Sequence, residues 1–322
     1  MTTRTETRPA RAVGDWDFGD VPYSLEPLVL PDPSAPASPP RTGTRVMGVP
    51  HRDLDADRRR LRALADPRGR AGLGAPAESS DRLYWFRWIT GHQATFVLWH
   101  LMGRLMGGRG GAAETAGLET YTRGYCAMLL YTGSCPREVY EGLIRPSMFL
   151  QHPGFSGTWA PDFTAVRPLF RGRDLPWTST PEAAGLRAAV ELNNLIHDGV
   201  AARLVPSGRS LLQESMKAAP VRRSEKTDVI YDNYFVTLRG PVAGRAVAGQ
   251  LLHRLRAVSL DVAVNGLHPH EDPDRPAELR RPEVLACERD LFSILARVGD
   301  LAAGTAEAEP STEEGASRCV TE

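Results

Sequence analysis

The longest amphipathic signal in the chain runs from Ser80 to Met106, where Leu83, Trp85, Phe86, Trp88, Ile89, Phe96, Val97, Trp99, Leu101, Met102, Leu105 and Met106 recur at helical spacing. Apolar residues cover nearly the whole circumference, so the pattern predicts a buried helix, ended by Gly107-Gly108. A second helix is read over 115–133 with Tyr121, Tyr125, Met128, Leu129 and Leu130, and a short one over 136–144. From Pro146 to about Pro181 the pattern breaks into a loop holding His152-Pro153-Gly154-Phe155-Ser156-Gly157 and Trp159-Ala160-Pro161, of a length that marks functional loops. Thr180 as N-cap, Pro181 at the first helical position and Glu182 beside it open a helix that runs to about Val205 and stops at Pro206-Ser207-Gly208. Val229-Ile230-Tyr231 and Tyr234-Phe235-Val236 predict a strand over 228–238, followed by helices over 242–265 and 282–302. With no repeat and no strand–helix alternation, the pattern predicts a mainly α fold.

The flanks read differently. Residues 1–80 form a Pro-rich N-terminal arm, with Pro31, Pro33, Pro36, Pro39 and Pro40 interrupting regular structure. Within it, Trp16-Asp17-Phe18-Gly19-Asp20-Val21-Pro22-Tyr23, followed by Leu25, Leu28 and Leu30, is too apolar for a free tail. It is expected to be extended and to dock on its own domain or on a partner subunit, which points to a homodimer. Residues 81–303 are the expected helical domain, and 304–322 a small-residue, acidic, disordered tail.

Composition narrows the functional classes. The chain has 322 residues with 42% hydrophobic content, 39 Lys plus Arg and 39 Asp plus Glu. Zero net charge argues against nucleic acid as a partner. No apolar run is long enough to span a bilayer, and Met1–Gly14 lacks the features of a signal peptide. Cys126, Cys135, Cys287 and Cys319 are read as reduced thiols, so the expected location is cytoplasmic. There is no Cys-x-x-Cys-His for thioether attachment of haem and no His-Glu-x-x-His. The segment Gly107-Gly108-Arg109-Gly110-Gly111 lacks the context of a phosphate loop, and no Gly-x-Ser-x-Gly marks a nucleophile elbow. His268-Pro269-His270-Glu271-Asp272 could ligate a metal but lies in a Pro- and Asp-rich loop.

Two histidines remain. His197 shares a helical stripe with Leu186, Val190, Asn193, Val200 and Leu204, and is expected to point inward. Such an imidazole is either a hydrogen-bonded core histidine or an iron ligand whose second nitrogen needs an acceptor. His92 sits among Trp85, Trp88, Ile89, Thr95, Phe96 and Trp99. Desolvation there favours the neutral form, which suits either a structural histidine or a general base. On two helices, the pair could face each other across a planar cofactor.

The run Phe86-Arg87-Trp88-Ile89-Thr90-Gly91-His92-Gln93-Ala94, followed by Leu98-Trp99, resembles the distal helix of the tryptophan 2,3-dioxygenase superfamily. His197, Arg203 and the turn Pro206-Ser207-Gly208-Arg209-Ser210 resemble its proximal-histidine helix and following loop. The Trp16–Tyr23 stretch, the chain length and the separation of the two histidines resemble the haem-dependent L-tyrosine 3-hydroxylases of actinobacterial antibiotic pathways. The resemblance covers about residues 14–30 and 81–215. It implies a dioxygenase-like helical fold holding haem b, with iron on His197 and His92 as the catalytic base. It further implies Arg145 and Ser210 at the amino acid's carboxylate and ammonium, with Tyr125 and Trp99 lining the pocket. In the dioxygenases an aromatic precedes the carboxylate-binding arginine by four residues, whereas Tyr140 and Arg145 are five apart. The implied reaction is hydroxylation of L-tyrosine to L-DOPA with hydrogen peroxide, or with dioxygen and a reductant. A ring-cleaving tryptophan dioxygenase, a haem sensor or carrier without turnover, and a cofactor-free helical interaction protein are the alternative readings.

Overall fold

Leu28–Leu30, all buried, form strand β1, which pairs in parallel with β2 (Thr237–Arg239) in the register Leu28 to Thr237. This two-stranded ribbon is the only sheet among the described residues of the computed structural model, which are 23–33, 49–50, 52–74, 79–108, 110–173, 175, 178–205, 211, 223–268 and 275–308. Everything else regular is helical. The stretch read as an extended arm also contributes helix α1 (Leu54–Ala65), where Asp53 Oδ1 accepts from the Ala56 N–H at 3.1 Å and Leu54, Leu61 and Leu64 are buried. A single turn, α2 (Pro67–Arg70), follows. Trp16–Pro22 lie outside the described residues.

Helix α3 (Ser80–Met106) has the expected bounds, with the Ser79 hydroxyl as N-cap and Gly107 as C-cap. It packs along α4 (Ala112–Thr132). Their approach at Gly91 is so close that a Cβ there would lie 2.4 Å from Thr132 Cγ2. Beyond α4, the expected loop from Pro146 is largely helical. α5 (Arg137–Val139) widens into a π-turn over Tyr140–Ile144 and continues as α6 (Arg145–Gln151). The widened turn closes with the Arg145 N–H donating to the Tyr140 carbonyl. Pro146 lacks an N–H and its ring crowds the preceding turn of a normal α-helix, so a π-turn at this point removes the conflict. A 3₁₀ turn at Gly157–Trp159 and α7 (Phe163–Phe170) occupy the rest.

Helix α8 (Ala184–Leu204) begins with a 3₁₀ turn at Pro181–Ala183, and the Thr180 side chain does not cap it. The strand read over 228–238 is instead α9 (Glu225–Tyr234), with only Thr237–Arg239 extended. A reciprocal capping box decides this: the Thr227 N–H donates to the Ser224 hydroxyl while the Ser224 N–H donates to the Thr227 hydroxyl. Tyr231 and Tyr234 of α9 are buried and Ile230 packs against the core, while Val229 is exposed, so helical packing overrides strand propensity. α10 (Gly244–Asn265) is as expected. The last expected helix divides at Asp290 into α11 (Pro282–Arg289) and α12 (Leu291–Ala308), Asp being a residue that favours helix boundaries. α12 extends past Gly304, where the tail was expected to begin, and 309–322 are outside the described residues.

The core spans the whole assembly: α1 lies against α10 and α12, and α4 against α8 and α12. At its centre Arg87 and Asp261, both fully buried, pair at 2.8 and 3.1 Å. Arg87 also donates to Ser134 Oγ and to the carbonyls of Gly266 and Leu267, while the Tyr131 hydroxyl donates to Asp261 at 2.7 Å. A buried charge is stable only when paired and hydrogen-bonded in this way. Cys126, Cys135 and Cys287 are buried free thiols, and burial pushes the latter two up to about 12. No helix among the described residues is long and apolar enough to cross a membrane.

Candidate active site

A cavity of about 750 Å³ opens between α3, α4, α8 and the 148–171 segment, a size in the range of about 300–1,000 Å³ typical of small-molecule sites. Helix α3 gives it Trp88, His92 and Trp99, α4 gives Tyr125, and α8 gives Asn193, Asn194, His197 and Asp198. Tyr140, Met148, Phe155, Phe163 and Phe170 add apolar wall, and Tyr231 and Phe235 close one side. His92, His197, Tyr125 and Trp99 therefore share one cavity. Arg145 does not line it. It is hydrogen-bonded to the side chain of Tyr140, which does. The π-turn explains their five-residue spacing, because a widened turn puts residues five apart on one face, as an α-turn does for residues four apart. Ser210 lies outside the described residues.

His92 is a half-buried, aromatic-bracketed imidazole. Its ring stacks on Phe235 (centroids 4.5 Å apart, 22° between planes) and meets Trp88 at 4.3 Å. Nδ1 lies 2.6 Å from the Trp88 carbonyl. A carbonyl can only accept, so Nδ1 carries the hydrogen of the neutral ring and Nε2 keeps its lone pair. Desolvation, opposed only by that hydrogen bond, pulls its pKa down to about 4.

His197 differs from the expectation that it points inward. Its side chain is 64% exposed. The buried line of α8 runs through Ala189, Leu192, Asn193, Ile196 and Gly199, so His197 falls on the flank, where the cavity is open. Asp198 Oδ1 is 3.6 Å from its Nδ1, longer than a hydrogen bond. One turn earlier, buried Asn193 donates to Cys126 Sγ at 3.8 Å.

The donor set fits haem. Among the described residues no cluster of three or more His, Cys, Asp or Glu could hold a bare metal ion. An aromatic-walled cavity that offers His92 and His197 as donors would suit an iron held in haem rather than a bare ion. Trp99 Nε1, on the same wall, is buried without a hydrogen-bond partner, an orphan that a ligand with acceptor groups would satisfy.

Sequence reasoning missed Arg171, Tyr231 and Phe235. Arg171 follows α7 and is the only arginine or lysine lining the cavity among the described residues. Tyr231 and Phe235 were hidden by the strand assignment. The Ser224–Thr227 capping signal would have placed them one turn apart on a helix.

A family model described as SfmD 3-methyl-L-tyrosine peroxygenase matches residues 28–189, about half of the chain. The match includes β1, the His92 helix, Tyr125, Tyr140 and Arg145, and ends before His197. No curated protein matches the chain.

Proposed function

Since this chain belongs to the SfmD 3-methyl-L-tyrosine peroxygenase family, we propose that it hydroxylates the ring of L-tyrosine, or of a ring-substituted tyrosine, ortho to the phenol. The reaction converts tyrosine and hydrogen peroxide to L-DOPA and water. The observation that carries this reading is the convergence of His92 and His197, from separate helices, on one aromatic cavity.

In this reading His197 holds the iron of haem b. When bound, the haem supplies the two-electron activation of peroxide that no side chain here can provide. The chain's own residues do the rest. Trp99 and Tyr125, edge-to-face at 5.2 Å, with Phe163 and Phe170, form an apolar slot that orients an aromatic ring and excludes water. His92, neutral and with Nε2 as acceptor, takes the phenolic proton, a contribution of about 10²–10⁴-fold. Two cations are proposed for the substrate's carboxylate: Arg171 on the wall and Arg145, hydrogen-bonded to Tyr140, with Ser210 assigned to the ammonium. A guanidinium suits a carboxylate because it donates in a planar fork.

The test is a visible spectrum after haemin supplementation, followed by mass spectrometry of tyrosine incubated with peroxide. The expected result is a Soret band that His197→Ala abolishes, and a product heavier by one oxygen that His92→Ala suppresses. Arg171→Gln raises KM for tyrosine more than Arg145→Gln if the wall cation binds the carboxylate directly, and the reverse order assigns it to Arg145. A folded protein that takes up no haemin refutes the reading.

A further inference from the structure

His92 and Gln93 are neighbours in sequence, yet they grip the same residue from two sides. The His92 ring stacks on the Phe235 ring, while the Gln93 amide, fully buried, donates to the Phe235 carbonyl at 2.9 Å. The next residue, Val236, has φ of +51°. A β-branched residue rarely adopts this left-handed conformation, and it persists only where the surroundings over-determine it. Here they do. The Val236 carbonyl accepts from the Leu28 N–H at 2.9 Å, at the start of the β1–β2 pairing. Gln93 Nε2 also donates to the Glu26 carbonyl at 3.1 Å. Gln93 Oε1 accepts from Arg254 Nε at 2.9 Å, and Arg254, buried on α10, donates to the carbonyls of Glu26 and Pro27. A continuous chain of buried polar contacts thus links the N-terminal strand and α10 to the turn that presents Phe235.

We infer that the Phe235–Val236 turn, clamped by Gln93, Arg254 and the Glu26–Leu30 segment, is a positioning platform that fixes the orientation of the His92 ring. The inference deepens the proposed function and rests on His92 as the proton acceptor. Phe235 supplies the flat surface, and the left-handed Val236 turns the chain sharply enough to end α9 at that surface and enter β2. The Trp88 carbonyl alone fixes one ring nitrogen but leaves the imidazole free to swing about that hydrogen bond, and the stacked ring removes this freedom. No charged side chain contributes to the titration of His92. Its neighbours are Trp88, Phe96 and Phe235, with Tyr140 and Tyr231 on the adjoining wall.

Two variants test the platform: Phe235→Leu, which keeps an apolar core residue but removes the stacking surface, and Val236→Gly, which relieves the left-handed strain. Selective ¹⁵N-histidine labelling reads the His92 ring directly, and turnover of the haem-loaded protein reads its consequence. The expected result for Val236→Gly is a melting temperature equal to or above the parent's with the His92 ring signals retained, because glycine adopts the left-handed turn without strain, whereas Phe235→Leu is expected to lower kcat at least tenfold with KM within twofold. Phe235→Leu is expected to move the His92 ring signals away from the fixed Nδ1–H form and to raise its pKa towards the ordinary value of about 6.5. A residue that serves stability alone would show activity falling only with melting temperature. Unchanged His92 ring signals in Phe235→Leu overturn the platform. Because that readout does not need turnover, the platform is decided even if His92→Ala stays fully active, an outcome that would instead refute the assigned role of His92.

Discussion

At the scale of single residues, the two histidines show what a sequence can and cannot locate. Both were legible as chemical candidates because few titratable groups sit among so many apolar neighbours. The environment of His92 was legible too, since Trp88 and Phe96 are on its own helix. The exposure of His197 was not, because it depends on a gap between α8 and segments distant in sequence. Arg171 was invisible for the same reason. The depressed pKa of His92 has a consequence for stability. The unfolded chain binds a proton at His92 near pH 6.5, while the folded chain refuses it until about pH 4. Stability linked to this ring is therefore fully present above pH 6.5 and is lost as pH falls towards 4, with a slope of at most about 1.4 kcal/mol per pH unit. His253, also lowered by burial, acts in the same direction. Melting temperatures measured from pH 7 to pH 4.5 should fall less steeply in His92→Gln than in the parent. Catalysis carries the matching signature: if His92 is the base, the acid limb of kcat/KM lies well below 6.5, and a limb at 6.5 assigns the proton to another group.

At the scale of elements, helices with full periodicity and punctuation were read to within a few residues, as at Ser80–Met106 and Gly244–Asn265. Errors arose where two local rules conflict. Val229, Ile230 and Tyr231 favour a strand, but the capping box at Ser224 nucleates a helix whose aromatic face is buried. Ser224→Ala should cost about 1 kcal/mol, read as a drop in denaturation midpoint, and should also slow turnover through the Phe235 end of that helix. Pro146 was read as a stop because the widened turn before it leaves no mark in a single sequence. Helix α8 is held against the Glu278–Arg280 turn at Gly199, where an added Cβ would lie 2.7 Å from Leu279 Cγ. Gly199→Ala should cost about 1–3 kcal/mol by overpacking and, being two residues from His197, weaken haem retention. Urea unfolding measures the first effect and titration with haemin the second.

For the whole molecule, the sequence conveyed a mainly α architecture but not how its parts are tied together. The arm was expected to dock, and β1 does so by pairing with β2, a partner some two hundred residues away that was itself read as part of a longer strand. Arg87 stands in the sequence as a charged residue within an apolar helical run. In the fold it joins α3 to α10 and to the chain beyond it. Arg87→Met leaves the Asp261 carboxylate buried with only Tyr131 and Asn265 as partners, and should cost about 3–5 kcal/mol. Equilibrium urea unfolding checks this, and the simultaneous change Arg87→Met with Asp261→Leu should recover part of the loss.

The buried thiols bear on how long such a catalyst lasts. A thiolate attacks hydrogen peroxide to give sulfenic acid and hydroxide, and further peroxide carries the sulfur to sulfinic and sulfonic acids, the last two beyond simple reduction. By burying Cys126, Cys135 and Cys287 where desolvation disfavours ionisation, the fold withholds these three thiols from the co-substrate proposed here. Inactivation during turnover should then begin elsewhere, and the native protein should pass through a peroxide challenge with these three side chains still unmodified by mass.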